Sequence, residues 1–223
     1  MTEVFEVVRQ ARSEATRQKI IDSAVDLINE IGYPAAGLAD IIERAELTKG
    51  ALYYHFDSKE SLATAIIEEG GGRVIDAFVA AGRPGSPAME NLIHGVFMVG
   101  DTISNDVLAA AASRLLRTFG GFNPAAKSTY GRFLEEMTGR VKAAVAEHDA
   151  RSDLDPDVIA RTIFGAMLGT ELLSAALSGG GDMGKQMAGT WEVLLPAVVE
   201  PDSLNYYREF LARQSMRASA PRR

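Results

Sequence analysis

Two short helical segments joined by a tight turn, at residues 38–56, constrain the fold of this chain more than any other stretch. The second segment begins at Thr48, whose hydroxyl can cap a helix. It then carries Lys49 and the polar side chains of residues 53–55. A helix-turn-helix is built in this way, and its second helix enters the major groove of DNA. The stretch therefore predicts a DNA-reading head.

The bulk properties restrict the remaining possibilities. The chain has 223 residues, and 47% of them are hydrophobic, which is enough for one sizeable core or two small ones. No apolar run approaches the roughly 18 residues that span a bilayer, and the N-terminus lacks the order of a secretory signal. Cysteine is absent, which excludes disulfides and thiolate metal sites. We expect a cytoplasmic protein with no membrane segment, cofactor or metal site.

The net charge of −7 is unusual for a DNA-binding protein, because neutralising phosphates requires lysine and arginine. DNA binding must therefore depend on where the cations lie. The cations near the predicted head are Arg9, Arg12, Arg17, Lys19, Lys49 and Lys59. We expect residues 1–13 to form a flexible arm. Arg9, Arg12 and Arg17 either reach the minor groove or backbone as a flexible arm, or belong to a plain solvated segment.

Hydrophobic periodicity predicts an all-α fold, because nearly every segment repeats with helical spacing and none alternates like a strand. We expect a three-helix DNA-binding domain over 1–60, a larger helical ligand-binding and dimerisation domain over 61–216, and a disordered tail over 217–223. Three glycines, 70–72, interrupt a long predicted helix. They indicate either a kink or close helix crossing, or a hinge between the domains.

Several motifs together resemble the DNA-binding head of the tetracycline-repressor (TetR) family. They are Gly32-Tyr33, Asp40-Ile41, the run from Thr48 to Phe56, and Lys59-Glu60-Ser61-Leu62. The C-terminal part is similar to the γ-butyrolactone autoregulator receptors of that family. This similarity rests on Asp155-Pro156, the run from Phe164 to Ser174, and the run from Trp191 to Pro196.

The resemblance implies an all-α homodimer that binds a palindromic double-stranded operator, represses transcription and is released by a small-molecule effector. We expect the operator contacts to come from Thr48, Lys49, Gly50, Tyr53, Tyr54, His55 and Lys59. Lys49 contacts either a phosphate or a guanine edge, and the sequence leaves both open. One of Tyr53 and Tyr54 is expected to pack inside the head. His55 is either a phosphate contact or an ordinary polar residue.

The chain departs from the family pattern at three places. Ala36 and Gly37 stand where the family usually has a hydroxyl residue that caps the second helix and contacts a phosphate. Glu46 stands in the turn where glycine is usual, so we expect an altered or strained backbone there. Phe133 stands where the butyrolactone receptors typically have a tryptophan that closes the pocket.

The effector pocket is predicted from apolar residues with a few polar groups. Our candidate ligand-binding residues are Phe122, Phe133, Phe164, Met167, Thr170 and Trp191. Each of them can equally be plain core. Thr170 is the most specific candidate because its hydroxyl lies on an otherwise apolar helix. The alternative is that this hydroxyl bonds to its own helix backbone.

Two predicted helices, 156–177 and 183–199, carry apolar residues on more than one side and must bury two faces. We expect them to form a four-helix interface with a second copy. A buried central helix in a monomer would give the same pattern.

Three other classes of function compete with a repressor. An enzyme is disfavoured, because the chain has three histidines, no cysteine, and no carboxylate pair in a distinctive context. The departures in the head and the acidic balance are compatible with a helical protein-interaction module derived from the same fold without DNA or effector binding. A DNA-binding regulator that has no ligand is the third alternative.

Overall fold

A computed structural model describes residues 2–219, although not the side chains of residues 2–5, 8 and 217–219. Within residues 2–219 the chain forms ten helices and no strand apart from one isolated bridge between Ala150 and Val199, which confirms the all-α prediction. The helices are α1 (Thr2–Ile31), α2 (Leu38–Arg44), α3 (Lys49–His55), α4 (Lys59–Ala80), α5 (Ala88–Asn105), α6 (Val107–Phe119), α7 (Pro124–Ala146), α8 (Pro156–Ser178), α9 (Met183–Val198) and α10 (Leu204–Ser219).

The helices divide between two compact units. The first unit comprises Met1–Gly72 and Asp106–Thr129, and the second comprises Arg73–Asn105 and Tyr130–Arg223. The sequence predicts a single boundary near residue 60. The first unit instead includes α6 and much of α4, because α6 packs against α1. Local periodicity in the sequence does not show which distant helices pack together, so it could not predict this contact.

Apolar residues recur at helical spacing over residues 20–31, which predicts one buried stripe on α1, and the first unit buries most of it. Ile20, Ile21 and Ala24 are fully buried, whereas Ile31 at the end of the stripe is 51% exposed. Gly32 ends the helix with φ +81°, a left-handed conformation that glycine adopts without a steric penalty. Leu52 and Phe56 complete the core from α3 and the residue after it.

Helix α1 begins at Thr2, where we had expected a flexible arm over residues 1–13. Residues 2–31 contain neither glycine nor proline, and ion pairs one turn apart, Arg9 with Glu6 and Arg17 with Glu14, favour the helix. The predicted disordered tail differs in the same way, since residues 217–219 continue α10. The rest of that tail, residues 220–223, lies outside the described residues.

The triple glycine lies inside α4, which continues through it unbroken. A Cβ atom built on Gly70 would lie 2.5 Å from the carbonyl oxygen of Leu108 and 2.6 Å from Cβ of Ala112, both on α6. One built on Gly72 meets nothing within 4 Å. The close-crossing interpretation is therefore correct at Gly70, where the absence of a side chain lets two helices touch.

The sequence predicts helix caps at Thr48, Asp57 with Glu60, Asn105 and Asp155. The structure has the first and the last of these caps but not the other two. The Thr48 hydroxyl accepts from the amide of Ala51 at 3.2 Å, and Asp155 caps α8 ahead of Pro156. At the start of α4, however, Ser58 and Ser61 exchange bonds, in place of the predicted Asp57 and Glu60. Asp106, not Asn105, caps α6. In each correction a neighbouring polar residue has the better geometry, which composition alone does not distinguish.

The second unit is built around a core from α4, α5 and α7–α10. Arg140 on α7 is partly buried there and donates to the carbonyl oxygens of Phe78, Val79 and Asn91 at 2.6–3.0 Å. The first two carbonyls belong to the last turn of α4, where carbonyl groups run out of partners within the helix, and that of Val79 also accepts from the amide of Gly82 at 3.0 Å. The guanidinium therefore holds the end of α4 against α5 and α7, and its burial lowers its pKa.

Candidate nucleic-acid interface and sensing unit

Helix α3 presents the predicted contact residues to solvent and is anchored in the head by its buried residue Leu52. Thr48, Lys49 and Gly50 are exposed, and Tyr54 is 79% exposed. Tyr53 is 43% exposed, so the expectation that one of the two tyrosines packs inside the head is wrong. The single buried position of this seven-residue helix suffices to fix it, which leaves both rings outside.

Aromatic rings organise the exposed face of α3. The ammonium of Lys49 lies 5.7 Å from the ring centroid of Tyr53. The rings of Tyr54 and His55 meet edge to face with centroids 5.0 Å apart. These contacts restrict the side chains before any ligand binds, and they leave an ammonium and two phenol hydroxyls on one accessible surface. Such donors suit phosphate oxygens and base edges.

Lys59 is held by the loop that follows α1. Its ammonium lies 3.3 Å from the carbonyl oxygen of Pro34 and 4.3 Å from the ring centroid of Tyr33. Partial burial lowers the pKa of Lys59, and burial followed by the charge of Glu60 raises the pKa of Tyr33. The lysine lies at the first turn of α4. Its predicted contact with a phosphate stays a prediction.

Other cations of the head are engaged within it. Arg17 pairs with Glu69 at 2.7 Å and lies over the ring of Phe56. Arg44 donates two bonds to Glu30 at 2.7 and 2.8 Å, and this pairing lowers the pKa of Glu30. Arg17 therefore braces the head, rather than belonging to an arm free to reach DNA.

The departures from the family pattern have visible structural consequences. Helix α2 begins after Gly37 with no side-chain cap, and Asp40 accepts from the Gly37 amide at 3.2 Å instead. Glu46 has φ +50°, the left-handed conformation expected where the family has glycine. Its carboxylate lies 3.5 Å from the ammonium of Lys19, and the residue is exposed.

Replacing Glu46 with glycine is expected to stabilise the first unit. A residue with a Cβ atom pays roughly 1 kcal/mol in the left-handed region, and the lost exposed ion pair contributes less. We expect Glu46→Gly to raise the free energy of unfolding by about 0.5–1 kcal/mol in urea titrations followed by circular dichroism. Glu46→Gln is the matched control, because it removes the charge and keeps the Cβ atom. Equal gains in both variants would show that charge, not backbone strain, matters at this turn.

Five of the six predicted ligand residues lie in the second unit. Phe133, Met167 and Trp191 are buried, and Phe164 is partly buried. The rings of Phe133 and Phe164 stack with centroids 5.0 Å apart, and Tyr130 meets Phe164 edge to face. The fold therefore brings these three aromatic rings of α7 and α8 together in one cluster.

Phe122 does not join that cluster. It lies in the first unit, is 70% exposed, and packs on Phe119 at a centroid distance of 5.3 Å. It follows the double glycine after α6, where the chain turns at the surface. We leave it out of the pocket proposed below.

The hydroxyl of Thr170 is engaged within the protein. It lies 2.8 Å from the carbonyl oxygen of Ala166, one turn back on α8, and 2.8 Å from the hydroxyl of Thr190 on α9. This is the backbone-bonded alternative considered from the sequence, extended by a contact between helices. A ligand contact through Thr170 would have to exchange one of these bonds.

Two open grooves flank α7 in the second unit. One, of about 430 Å³, is lined in part by Ser86, Asn91 and Arg140. The other, of about 470 Å³, is lined in part by Leu134, Lys142 and Arg161. Neither groove is lined by a predicted ligand residue. Phe133, Met167, Thr170 and Trp191 are instead buried within the second unit.

Helices α8 and α9 keep an exposed apolar face. On α8, Leu172, Leu173 and Leu177 are 52–82% exposed, and on α9 Val193 is 77% exposed. By length and composition α8 qualifies as a candidate membrane span among the described residues, with 39% of its most apolar stretch buried. Among the same residues there is no group of three or more potential metal ligands.

The head and the helical remainder together define a helix-turn-helix transcriptional regulator. Residues 20–66 match the family model for bacterial regulatory proteins of the tetR family, and residues 86–200 match the model for the tetracyclin repressor-like C-terminal domain. The chain belongs to the TetR family of bacterial transcriptional regulators.

Individual relatives cover different parts of the chain. The A-factor receptor protein of Streptomyces griseus is 30% identical over 198 residues, which are 87% of this chain and 68% of that protein. The negative transcriptional regulator of the biofilm operon icaADBC from Staphylococcus aureus is 48% identical over 46 residues, which are 21% of this chain and a quarter of that protein. These relatives are regulators and receptors, which agrees with the prediction of a non-enzyme.

Solved structures match over nearly the whole chain. A γ-butyrolactone receptor described as ArpA-like superposes with a TM-score of 0.77 and 28% identity, covering 92% of this chain and 99% of that one. CprB from Streptomyces coelicolor, solved with its biological operator sequence, gives a TM-score of 0.73 and 28% identity with the same coverage. The predicted resemblance to the butyrolactone-receptor branch is thus confirmed.

Proposed function

We propose that this protein is a ligand-responsive repressor that binds a palindromic operator as a homodimer and is released by a small apolar effector. The observation that carries the proposal is the exposed face of α3, where Lys49 and Tyr54 project from a helix anchored by buried Leu52. A related regulator of this fold, CprB, has been solved on its operator. The protein acts in the cytoplasm, where its DNA is.

The mode of DNA binding follows from the charge distribution. The chain is acidic as a whole, so long-range attraction by net charge does not assist it. Affinity must come from local contacts by α3 and from amides and hydroxyls near helix starts, Thr48 among them. Two heads reading half-sites about 34–36 Å apart would then double the number of contacts.

Removing two exposed donors of α3 tests this mode. We expect Lys49→Ala with Tyr54→Ala to weaken operator binding by at least about 4 kcal/mol, or roughly 1000-fold, because each head of the dimer loses two contacts and each contact contributes about 1–3 kcal/mol. The measurement is a salt-dependent mobility-shift titration on the duplex next to the protein's own coding region. The slope of log K against log salt is also expected to fall by about 2 if Lys49 holds a phosphate, because the dimer then loses one phosphate contact in each head.

Lys127→Ala is the control for that experiment, since it removes an exposed cation of the same unit outside the head. It should leave affinity within about twofold of the unsubstituted protein. If the unsubstituted protein binds no duplex at low salt, the repressor proposal fails and the helical protein-interaction module becomes the better explanation.

The effector is proposed to enter the second unit beside the stacked rings of Phe133 and Phe164. Met167 and Trp191 would supply apolar walls, and Thr170 would exchange its bond with Thr190 for one to a ligand carbonyl. Similarity to solved γ-butyrolactone receptors supports a γ-butyrolactone-like molecule. Because Phe133, Met167 and Trp191 are buried here, ligand binding would have to select a conformer that opens a path to them.

Release of DNA is the test of effector control. Synthetic γ-butyrolactones, added to the protein–operator complex, should dissociate it at concentrations that leave an unrelated DNA-binding protein unaffected. A complex that persists at every concentration would remove the effector from the proposal and leave a regulator without a ligand.

The homodimer is proposed to form through α8 and α9. On α8, Gly165, Gly169 and Leu173 recur every four residues, with Gly169 half-buried and the other two exposed. On α9, the exposed Gly189 and Val193 have the same spacing. Small residues let helices approach closely, and exposed leucines and valines gain from burial. A second copy covering this face explains the apolar surface of α8 without a membrane.

A further inference from the structure

Helices α7 and α8 of the second unit run antiparallel and leave a groove open between them. The rings of Phe133 and Phe164 stack on each other, whereas Lys142, farther along α7, lines the same groove as Asp157 near the start of α8. Residue numbers therefore rise along one helix where they fall along the other. The groove has a volume of about 470 Å³, and small-molecule sites span roughly 300–1,000 Å³. We call it the α7–α8 groove.

Two glycines of α7 keep this groove open. Gly131 and Gly139 both line it, a little more than two helical turns apart. A Cβ atom built on either glycine would meet nothing within 4 Å, so neither residue permits a close crossing of helices. Between them, Leu134 lines the groove and packs against the apolar core. The groove thus has an apolar surface with room for a small group.

A buried hydroxyl without a partner faces the α7–α8 groove. Thr138 is only 8% exposed, and its side chain lines the groove. Thr129, on the same helix, bonds to the carbonyl oxygen one turn back at 2.9 Å. The Thr138 hydroxyl makes no such bond and has no other partner within the described part of the chain. Since buried polar groups are normally paired, this hydroxyl is available to a molecule that enters the groove.

The two walls of the groove carry both signs of charge. Helix α7 contributes Glu135 and Lys142, and α8 contributes Asp157 and Arg161. All four side chains are exposed, and none of them forms an ion pair with another described residue. A ligand with a single negative charge would meet two carboxylates as well as two cations, and a single positive charge would meet the converse. A ligand that carries both charges can use all four groups.

We propose that the α7–α8 groove binds a small zwitterion of the α-amino-acid class that has a short apolar side chain. The carboxylate of the ligand pairs with the two cations of the walls and accepts from the hydroxyl of Thr138, and its ammonium pairs with the two carboxylates. Its side chain lies over Leu134, in the space that the two glycines leave. Because exposed ion pairs are weak, we expect a dissociation constant on the order of 1 mM.

L-Leucine is the probe that tests this site, and two analogues that each lack one of its charges are the matched controls. 3-Methylbutan-1-amine lacks the carboxylate, 4-methylpentanoate lacks the ammonium, and both keep the branched alkyl group. Amide chemical shifts of the full-length protein are followed by two-dimensional NMR during titration. We expect L-leucine to move the amides of Gly131 and Gly139 but not that of Gly85. Each analogue should bind at least about fivefold more weakly, because it loses two ionic contacts and meets two like charges.

Three variants locate the ligand. Thr138→Val keeps the shape of the side chain without its hydroxyl, so it should weaken L-leucine binding about three- to tenfold with no loss in melting temperature. Gly139→Leu fills the groove and should abolish the shift at Gly131, while the better helix propensity of the new side chain keeps the protein folded. Lys185→Gln removes an exposed cation of α9 that does not line the groove and should leave the affinity unchanged.

Each outcome either supports the proposal or overturns it. The proposal is wrong if neither L-leucine nor L-alanine moves the two glycine amides at concentrations up to about 50 mM, well above the expected dissociation constant. An analogue that binds as tightly as L-leucine would refute a zwitterionic ligand. Shifts that persist in Gly139→Leu would place the ligand outside the groove. None of these measurements involves DNA or the effector, so their failure leaves the proposed repressor function standing.

Discussion

Gly70→Ala is expected to lower the free energy of unfolding of the first unit by about 1–2 kcal/mol. The added methyl group would lie 2.5 Å from the carbonyl oxygen of Leu108, a backbone atom that cannot rotate away. Separating two packed helices costs about 1–3 kcal/mol, and the better helix propensity of alanine recovers up to about 1 kcal/mol. Urea unfolding followed by circular dichroism measures the difference.

Gly72→Ala provides the matched control within the same triple glycine. A Cβ atom on Gly72 meets nothing within 4 Å, so alanine gains helix propensity without a clash. We expect this variant to raise the free energy of unfolding by about 0.5–1 kcal/mol. Opposite signs at two positions in one helix would identify packing, not chain stiffness, as the role of Gly70.

The same pair also addresses the hinge interpretation of the glycines. A hinge at residues 70–72 would be stiffened by alanine at either position, so Gly72→Ala would then alter effector response despite its higher stability. Replacing all three glycines together is less informative. At Gly71 a Cβ atom would lie 2.7 Å from a methyl group of Thr129, which adds a third, partly relievable contact.

The features that the sequence predicted well are local ones. The cap at Thr48, the stripe of α1, and the Asp155-Pro156 start of α8 each depend on residues within one or two turns. Periodicity and capping describe such short-range energetics adequately. The family resemblance rested on the same motifs, and it correctly assigned a TetR-family head and an all-α remainder.

The features that escaped prediction depend on contacts between distant segments. Arg114 donates to the carbonyl oxygen of Asn29 at 2.8 Å, 85 positions away in the sequence, and no local pattern distinguishes this arginine from the others. Helix α6 belongs to the same unit as the head because it packs on α1. Tyr53 is exposed because Leu52 is the residue through which α3 is buried against the rest of the head. For Phe122 the prediction placed an aromatic residue in the pocket of a helical protein, whereas the structure leaves this side chain exposed at the surface.

Arginine at Leu173 or Val193 is expected to dissociate the proposed dimer. Each residue is more than half exposed in one copy and belongs to the apolar face of α8 or α9. In a two-fold interface each substitution occurs twice, so two cations would be buried without partners. We expect a penalty of at least about 3 kcal/mol, which corresponds to a dimer dissociation constant raised more than about 100-fold.

Sedimentation velocity across a dilution series measures this change, and Met216→Arg is the control. Met216 on α10 is also exposed, at 67%, so the control adds the same charge away from the proposed interface. It should leave the dimer intact. The dissociated variants should in turn lose operator affinity while their helical content stays normal, because a monomer reads only one half-site. Monomers that bind the full operator as tightly as the unsubstituted protein would contradict a dimeric reading of the palindrome.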